Sequence, residues 1–197
     1  MRTRQRFPTV ALTVVVMVVG LGLTGCVPPA PRPTSAPSET LTPVFASDEE
    51  ALQVATETYR AYLVVSDAIL RDGGLEPERL RTIATPELAA QEAEGYNDFA
   101  VQGRRLVGET KLLKSRLQSR SSSPDEHGTI ATIYACVTLA DVDVVDVQGQ
   151  SVVTPGRPDE RVLQVGIAMG IAMDSTVSQS YVVSDKVAWD DLSVCAQ

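Results

Sequence analysis

The stretch RVLQVGIAMGIAM, residues 161–173, sets large apolar side chains against small ones with almost no interruption. In an extended chain successive side chains point to opposite faces. Leu163, Val165, Ile167, Met169, Ile171 and Met173 then share one face, and Gly166, Ala168, Gly170 and Ala172 share the other. A period of two is a strand signal and argues against a helix. The large face is expected to fill a core, and the small face to admit a helix or a ligand close to the backbone.

Working outward, residues 129–139 are rich in Thr, Ile, Val and Tyr and predict a second strand, and residues 105–117 predict a third with imperfect alternation. Residues 148–160 hold Gly149, Pro155, Gly156 and Pro158 and read as a long loop. Residues 181–183 and 187–194 are expected to pair as a closing hairpin around Ser184-Asp185-Lys186.

Upstream the period changes to that of a helix. Ser47-Asp48-Glu49-Glu50 is a capping box, in which the serine accepts from the amide three residues on and that glutamate reaches back. Leu52, Ala55, Tyr59, Tyr62, Leu63 and Ile69 follow at helical spacing, predicting a long helix to about Arg71, which Asp72-Gly73-Gly74 ends. A short helix is expected after Glu76-Pro77 with Leu80 and Ile83 inward. Another starts at Thr85-Pro86, with Leu88, Tyr96 and Phe99 on its buried face and Gly103 at its exit.

Helices first and strands afterwards is an α+β plan, N-terminal helices on a curved antiparallel sheet. This order, over roughly residues 48–195, resembles the NTF2-like (cystatin-like cone) domains of small actinobacterial lipoproteins. The resemblance implies a cone-shaped pocket that members use for small ligands, catalysis or dimerisation. Residues 47–197 are therefore expected to form one NTF2-like domain, of a size that supports a single core.

The first 25 residues carry Arg2, Arg4 and Arg6, no acid, and an apolar stretch over residues 10–23. That is the layout of a targeting segment: about 14 apolar residues fall short of the roughly 20 that span a membrane. Leu23-Thr24-Gly25-Cys26 directly follows and resembles the lipobox of bacterial lipoproteins. The resemblance implies a signal peptide over residues 1–25, removed after lipidation of Cys26. A diacylglyceryl group supplies two acyl chains, which hold a protein where one alone binds only reversibly. The expected location is the extracytoplasmic face of the cell membrane.

Residues 26–46 are expected to be the lipidated cysteine and a linker, with prolines at 28, 29, 31, 33, 37 and 43. Proline restrains itself and its predecessor, so this is a semi-rigid stalk spanning on the order of 50 Å. Removing the leader leaves 14 basic side chains against 25 acidic ones, a net charge of −11. Such a surface repels phosphate backbones and excludes nucleic acid as a partner.

The chain has three cysteines. If Cys26 carries lipid, Cys136 and Cys195 remain as a pair in an oxidising compartment, where a disulfide is expected. It closes a loop of about 60 residues, contributing roughly 4 kcal/mol in the chain-entropy model.

No constellation for catalysis stands out. The single histidine, His127, lies in a polar turn, and there is no Gly-x-Ser-x-Gly elbow, phosphate loop or His-x-x-x-His pair. Asp141, Asp143 and Asp146 offer oxygen ligands of the kind calcium takes, but alternate with valines as an edge strand does, and lack the layout of an EF-hand loop. Asp190-Asp191 reads as a solvated strand face. Some NTF2-like enzymes pair a buried Asp with a polar aromatic. Tyr59, Tyr62, Tyr96, Asp67 and Asp98 are the candidates here, and helical spacing predicts buried tyrosines and exposed aspartates. The sequence therefore suggests a lipid-anchored, non-catalytic surface protein without a cofactor, binding a small ligand or a protein partner. The alternatives are a carrier of an apolar lipid, its cavity lined by the Gly/Ala face, and an isomerase-type enzyme.

Overall fold

Ser47 caps the first helix as its sequence predicts, its hydroxyl accepting the Glu50 amide at 3.2 Å, whereas the Glu50 carboxylate reaches one residue past the cap and accepts the Ala46 amide at 2.6 Å. In the computed structural model residues 44–170 and 180–196 are described. The leader, Cys26, the proline-rich stretch, and the Ile171, Ala172 and Met173 end of the alternating segment lie outside the described residues.

Helix α1, Asp48–Arg71, is followed by a 3₁₀ helix over Pro77–Thr82 and by α2, Pro86–Val101. The Thr85 hydroxyl caps α2 by accepting the Leu88 amide at 3.3 Å. Gly74 has φ +79°, and a side chain there would run into the Tyr96 carbonyl, so the bend after α1 requires glycine to let α2 come this close.

Strands β1 (Arg105–Val107), β2 (Lys111–Arg120), β3 (Thr129–Thr138), β4 (Asp143–Val145), β5 (Glu160–Met169) and β6 (Tyr181–Trp189) follow, then a short helix α3, Ser193–Ala196. The main sheet has the order β2-β3-β5-β6, all antiparallel, and β1 and β4 form a separate ribbon. The expected strand over 105–117 is thus divided between two sheets. The break falls at Gly108, φ +92°, where a side chain would meet the Asp141 carbonyl.

Each main-sheet ladder carries a register shift, between Leu112 and Lys114, Leu117 and Ser119, Thr129 and Ala131, and Gly166 and Ile167. Bulges bend strands, and the curved sheet wraps α1 so that all four of its strands reach the helix. Ala55, Tyr59, Tyr62 and Ile69 of α1 pack with Ile133, Ala135, Val137, Val165, Ile167 and Val183 in one core. This is the α+β architecture that the order of elements predicts.

Two further expectations need correction. Residues 181–194 do not form a hairpin: Ser184-Asp185-Lys186 lies inside the continuous strand β6, and Val194 belongs to α3. Ladder bonds to β5 and contacts of Ser184 and Lys186 with distant side chains outweigh the polar, turn-like composition. Met169 is 43 % exposed rather than part of the core, because it ends β5 opposite Tyr181.

Candidate functional site

The interior face of α1 carries an aromatic and polar stripe. Tyr59 and Tyr62 stack with ring centroids 5.8 Å apart, and the Tyr96 hydroxyl of α2 donates to Ser66 Oγ at 2.9 Å. Lys186 sits opposite Val165 in the β5–β6 register and therefore enters the inner face. Its ammonium donates to Tyr62 Oη at 3.0 Å and to the Glu92 carboxylate at 2.9 Å, and lies 5.1 Å from the Tyr62 ring centroid. Burial raises the ionisation of Tyr59, Tyr62 and Tyr96 above the ordinary tyrosine range, so the phenols stay protonated. They are hydrogen-bonding and packing groups rather than bases.

Asp67 departs from the expectation of exposure. It is 3 % exposed, with one carboxylate oxygen accepting the Thr110 amide at 2.7 Å and the other the Thr110 hydroxyl at 3.0 Å. Burial pushes its pKa upward against these bonds. Arg60, Arg71, Glu109 and Lys111 border it across a cleft of about 300 Å³. Helical spacing identifies Asp67 only by its neighbours on α1, while its partner lies 43 residues away on the β1–β2 connection. Asp98 is exposed, as expected.

Between α1 and the sheet, the volume a cone pocket needs is occupied by Tyr59, Tyr62, Ile69, Ile133, Val165 and Ile167, all almost fully buried. The small face of β5 is occupied too. Thr129 and Ser184 meet across Gly166, their hydroxyl oxygens 2.9 Å apart. The clefts lie at the rims instead.

One rim cleft, about 530 Å³, runs between Phe99 of α2, Arg104, Val144 of β4, the loop of residues 152–158, and Arg161 of β5. Arg157 in that loop donates to the carbonyls of Leu139 and Val142 at 2.8 and 2.7 Å, and its Nε is buried without a partner. Composition gives no hint of this cleft, because Arg104 lies on the α2–β1 connection, Arg157 in the loop before β5 and Arg161 on β5 itself.

Cys136 and Cys195 form a disulfide with Cα atoms 5.9 Å apart, tying β3 to α3. His127 is exposed beside Glu126. The three acids singled out for cation binding do not converge. Asp141 pairs with Lys111 at 2.5 Å, Asp143 accepts the Ser151 hydroxyl at 2.7 Å, and Asp146 accepts the amides of Gln148 and Gln150 at 2.9 Å. Asp190 follows the end of β6, and Asp191 accepts the Ser193 amide at 2.9 Å.

No family model matches the chain, and no curated protein matches it. Among solved structures, the intermembrane space region of the chloroplast protein ARC6 superposes with a TM-score of 0.48 at 10% identity, covering 71% of this chain and 97% of that one. Aln2 from a Streptomyces species superposes with a TM-score of 0.37 at 18% identity, covering 74% of this chain and 94% of that one.

Proposed function

We propose that this protein is a lipid-anchored, extracytoplasmic binding domain, attached to the cell membrane through a diacylglyceryl group on Cys26, that engages a small ligand or a protein partner without catalysing a reaction. The observation that carries this reading is the Cys136–Cys195 disulfide. Such bonds persist in oxidising compartments, and with two of three cysteines consumed the remaining thiol is the one that follows the apolar leader. Among the described residues no helix is long and apolar enough to cross a membrane, and the lipid anchor supplies attachment independently of one. The occupied core speaks against internal storage of an apolar lipid and directs binding to the rim and the outer sheet face.

Mass spectrometry of the membrane fraction tests the anchor. The expected product begins at Cys26 and carries the added mass of a diacylglyceryl group; an unmodified Cys26 or a retained leader overturns it.

A second reading, an isomerase-type enzyme, draws support from Asp67, whose buried carboxyl with a raised pKa is the kind of group such chemistry uses. It is weakened by geometry, since both carboxylate oxygens already bind Thr110. Proton exchange into a ketosteroid-type carbonyl substrate, lost in Asp67→Asn, is the result that would establish it.

A further inference from the structure

We infer that the rim cleft between α2, β4 and the start of β5 is a binding site for a small organic anion with an apolar or aromatic body, the charged head held by Arg104 and Arg161 and the body lying on Phe99, Val144, Val152 and Pro155. This rests on the reading of the chain as a binding domain and names the chemistry that the domain takes. The cleft holds about 530 Å³, within the range of about 300–1,000 Å³ typical of small-molecule sites.

Its charge is the telling feature. The chain is acidic, net −8, yet three arginines border this one cleft. Among the described residues no carboxylate pairs with Arg104, Arg157 or Arg161. Asp159 and Glu160 stand next to them in sequence but do not line the cleft.

Arg157 plays a different part from the other two. Its guanidinium is fixed by the carbonyls of Leu139 and Val142, so it holds the loop in place and adds a positive charge to the cleft lining. Among the described residues Arg104 and Arg161 have no side-chain bond to give up, and their forks suit a carboxylate or phosphate in two-point contact. The apolar wall then discriminates a substituted anion from a bare one. A carboxylate and a phosphate monoester share this chemistry, whether free or as the headgroup of a short lipid.

Isothermal titration of the full chain in non-ionic detergent with phenylpropanoate and phenyl phosphate tests the site, with phenylpropanol and inorganic phosphate as controls. Both organic anions are expected to bind at one site, and both controls to fail. Arg104→Gln and Arg161→Gln are each expected to weaken binding roughly tenfold, the loss of one charge-assisted contact. Arg105→Gln, exposed and outside the lining, is expected to leave binding unchanged. A lipid headgroup is favoured over a free metabolite if octyl phosphate binds at least tenfold more tightly than phenyl phosphate and loses that advantage in Arg104→Gln.

Equal binding of phenylpropanol overturns the inference, as does unchanged binding in the Arg104→Gln, Arg161→Gln double variant with its near-ultraviolet circular dichroism and disulfide intact. Failure here with Cys26 lipidated removes the ligand class and leaves the anchored-domain reading standing, whereas an unlipidated Cys26 with anion binding intact does the reverse.

Discussion

Lys186 and Glu92 meet at 2.9 Å across the join of β6 and α2, each side chain about one-fifth exposed, with the Tyr62 hydroxyl as a third partner at 3.0 Å from the ammonium. The pair is drier than an ordinary surface bridge, so leaving one member alone costs more than the bridge itself contributes. Lys186→Met strands a half-buried carboxylate and is expected to destabilise the fold by about 1–3 kcal/mol. Glu92→Gln keeps a polar partner for the ammonium and is expected to cost less. Urea unfolding of both single variants and the double variant checks this; a coupling energy near zero would show that the bridge is incidental.

Asp67 predicts a pH dependence. Its carboxyl has a higher pKa folded than the ordinary value of 3.8, so the folded state holds the proton more tightly. The corresponding stability is fully present below 3.8 and is lost as pH rises through the folded pKa. Asp67→Asn can still accept the Thr110 amide and donate to the Thr110 hydroxyl. It is expected to stay folded and to flatten this part of the stability profile above the ordinary carboxylate range, measured by urea midpoints at stepped pH. Asp67→Ala cuts both bonds to the β1–β2 connection and is expected to cost about 1–3 kcal/mol at neutral pH.

Lys186 and Asp67 also mark the limit of what is legible in the sequence. The helices are readable because their signals are local: Ser47 with Glu50, Thr85 with Pro86, and apolar residues every three or four positions. Strand β5 is readable from its period of two, and β3 from its richness in Thr, Ile, Val and Tyr. The course of β6 is not, because Ser184 and Lys186 take their meaning from Thr129 and Glu92, 55 and 94 residues away. The burial of Asp67 is hidden for the same reason. Its α1 neighbours Ser66 and Ile69 face the interior, and a polar residue beside them is buried only where a partner such as Thr110 arrives from elsewhere. The arginine cleft has no signal at all, since Arg104, Arg157 and Arg161 fall on a helix-to-strand connection, a loop and a strand and form no pattern.

The crosslink between Cys136 and Cys195 spans 59 residues and joins an inner strand to the end of the chain. In the chain-entropy model a loop of that length contributes about 4 kcal/mol. Reduction, or the Cys136→Ala, Cys195→Ala double variant, is expected to lower the denaturant midpoint by a matching amount. The Tyr134–Trp189 contact on the outer face, centroids 5.1 Å apart, offers a fluorescence readout of whether the C-terminal segment loosens before the core. Free thiols at both positions in the native protein would remove the crosslink from this account.

Gly166 is a position where the alternation of large and small residues has a direct steric consequence. A methyl group there would stand 2.8 Å from Ser184 Oγ and 3.1 Å from Thr129 Oγ1, pressing on the two hydroxyls that hydrogen-bond across β5. Neither can swing away without giving up the other, and Ser184 is buried. Gly166→Ala is therefore expected to destabilise by about 1–3 kcal/mol, the usual cost of forcing an extra carbon into a packed site. If the clash with Ser184 is the cause, adding Ser184→Ala should recover part of the loss, because the removed oxygen is the nearest atom to the new methyl. Thermal unfolding of the wild type, both single variants and the double variant separates the terms. Additive losses would mean that the glycine serves the bulge between Gly166 and Ile167, not the hydroxyl pair above it.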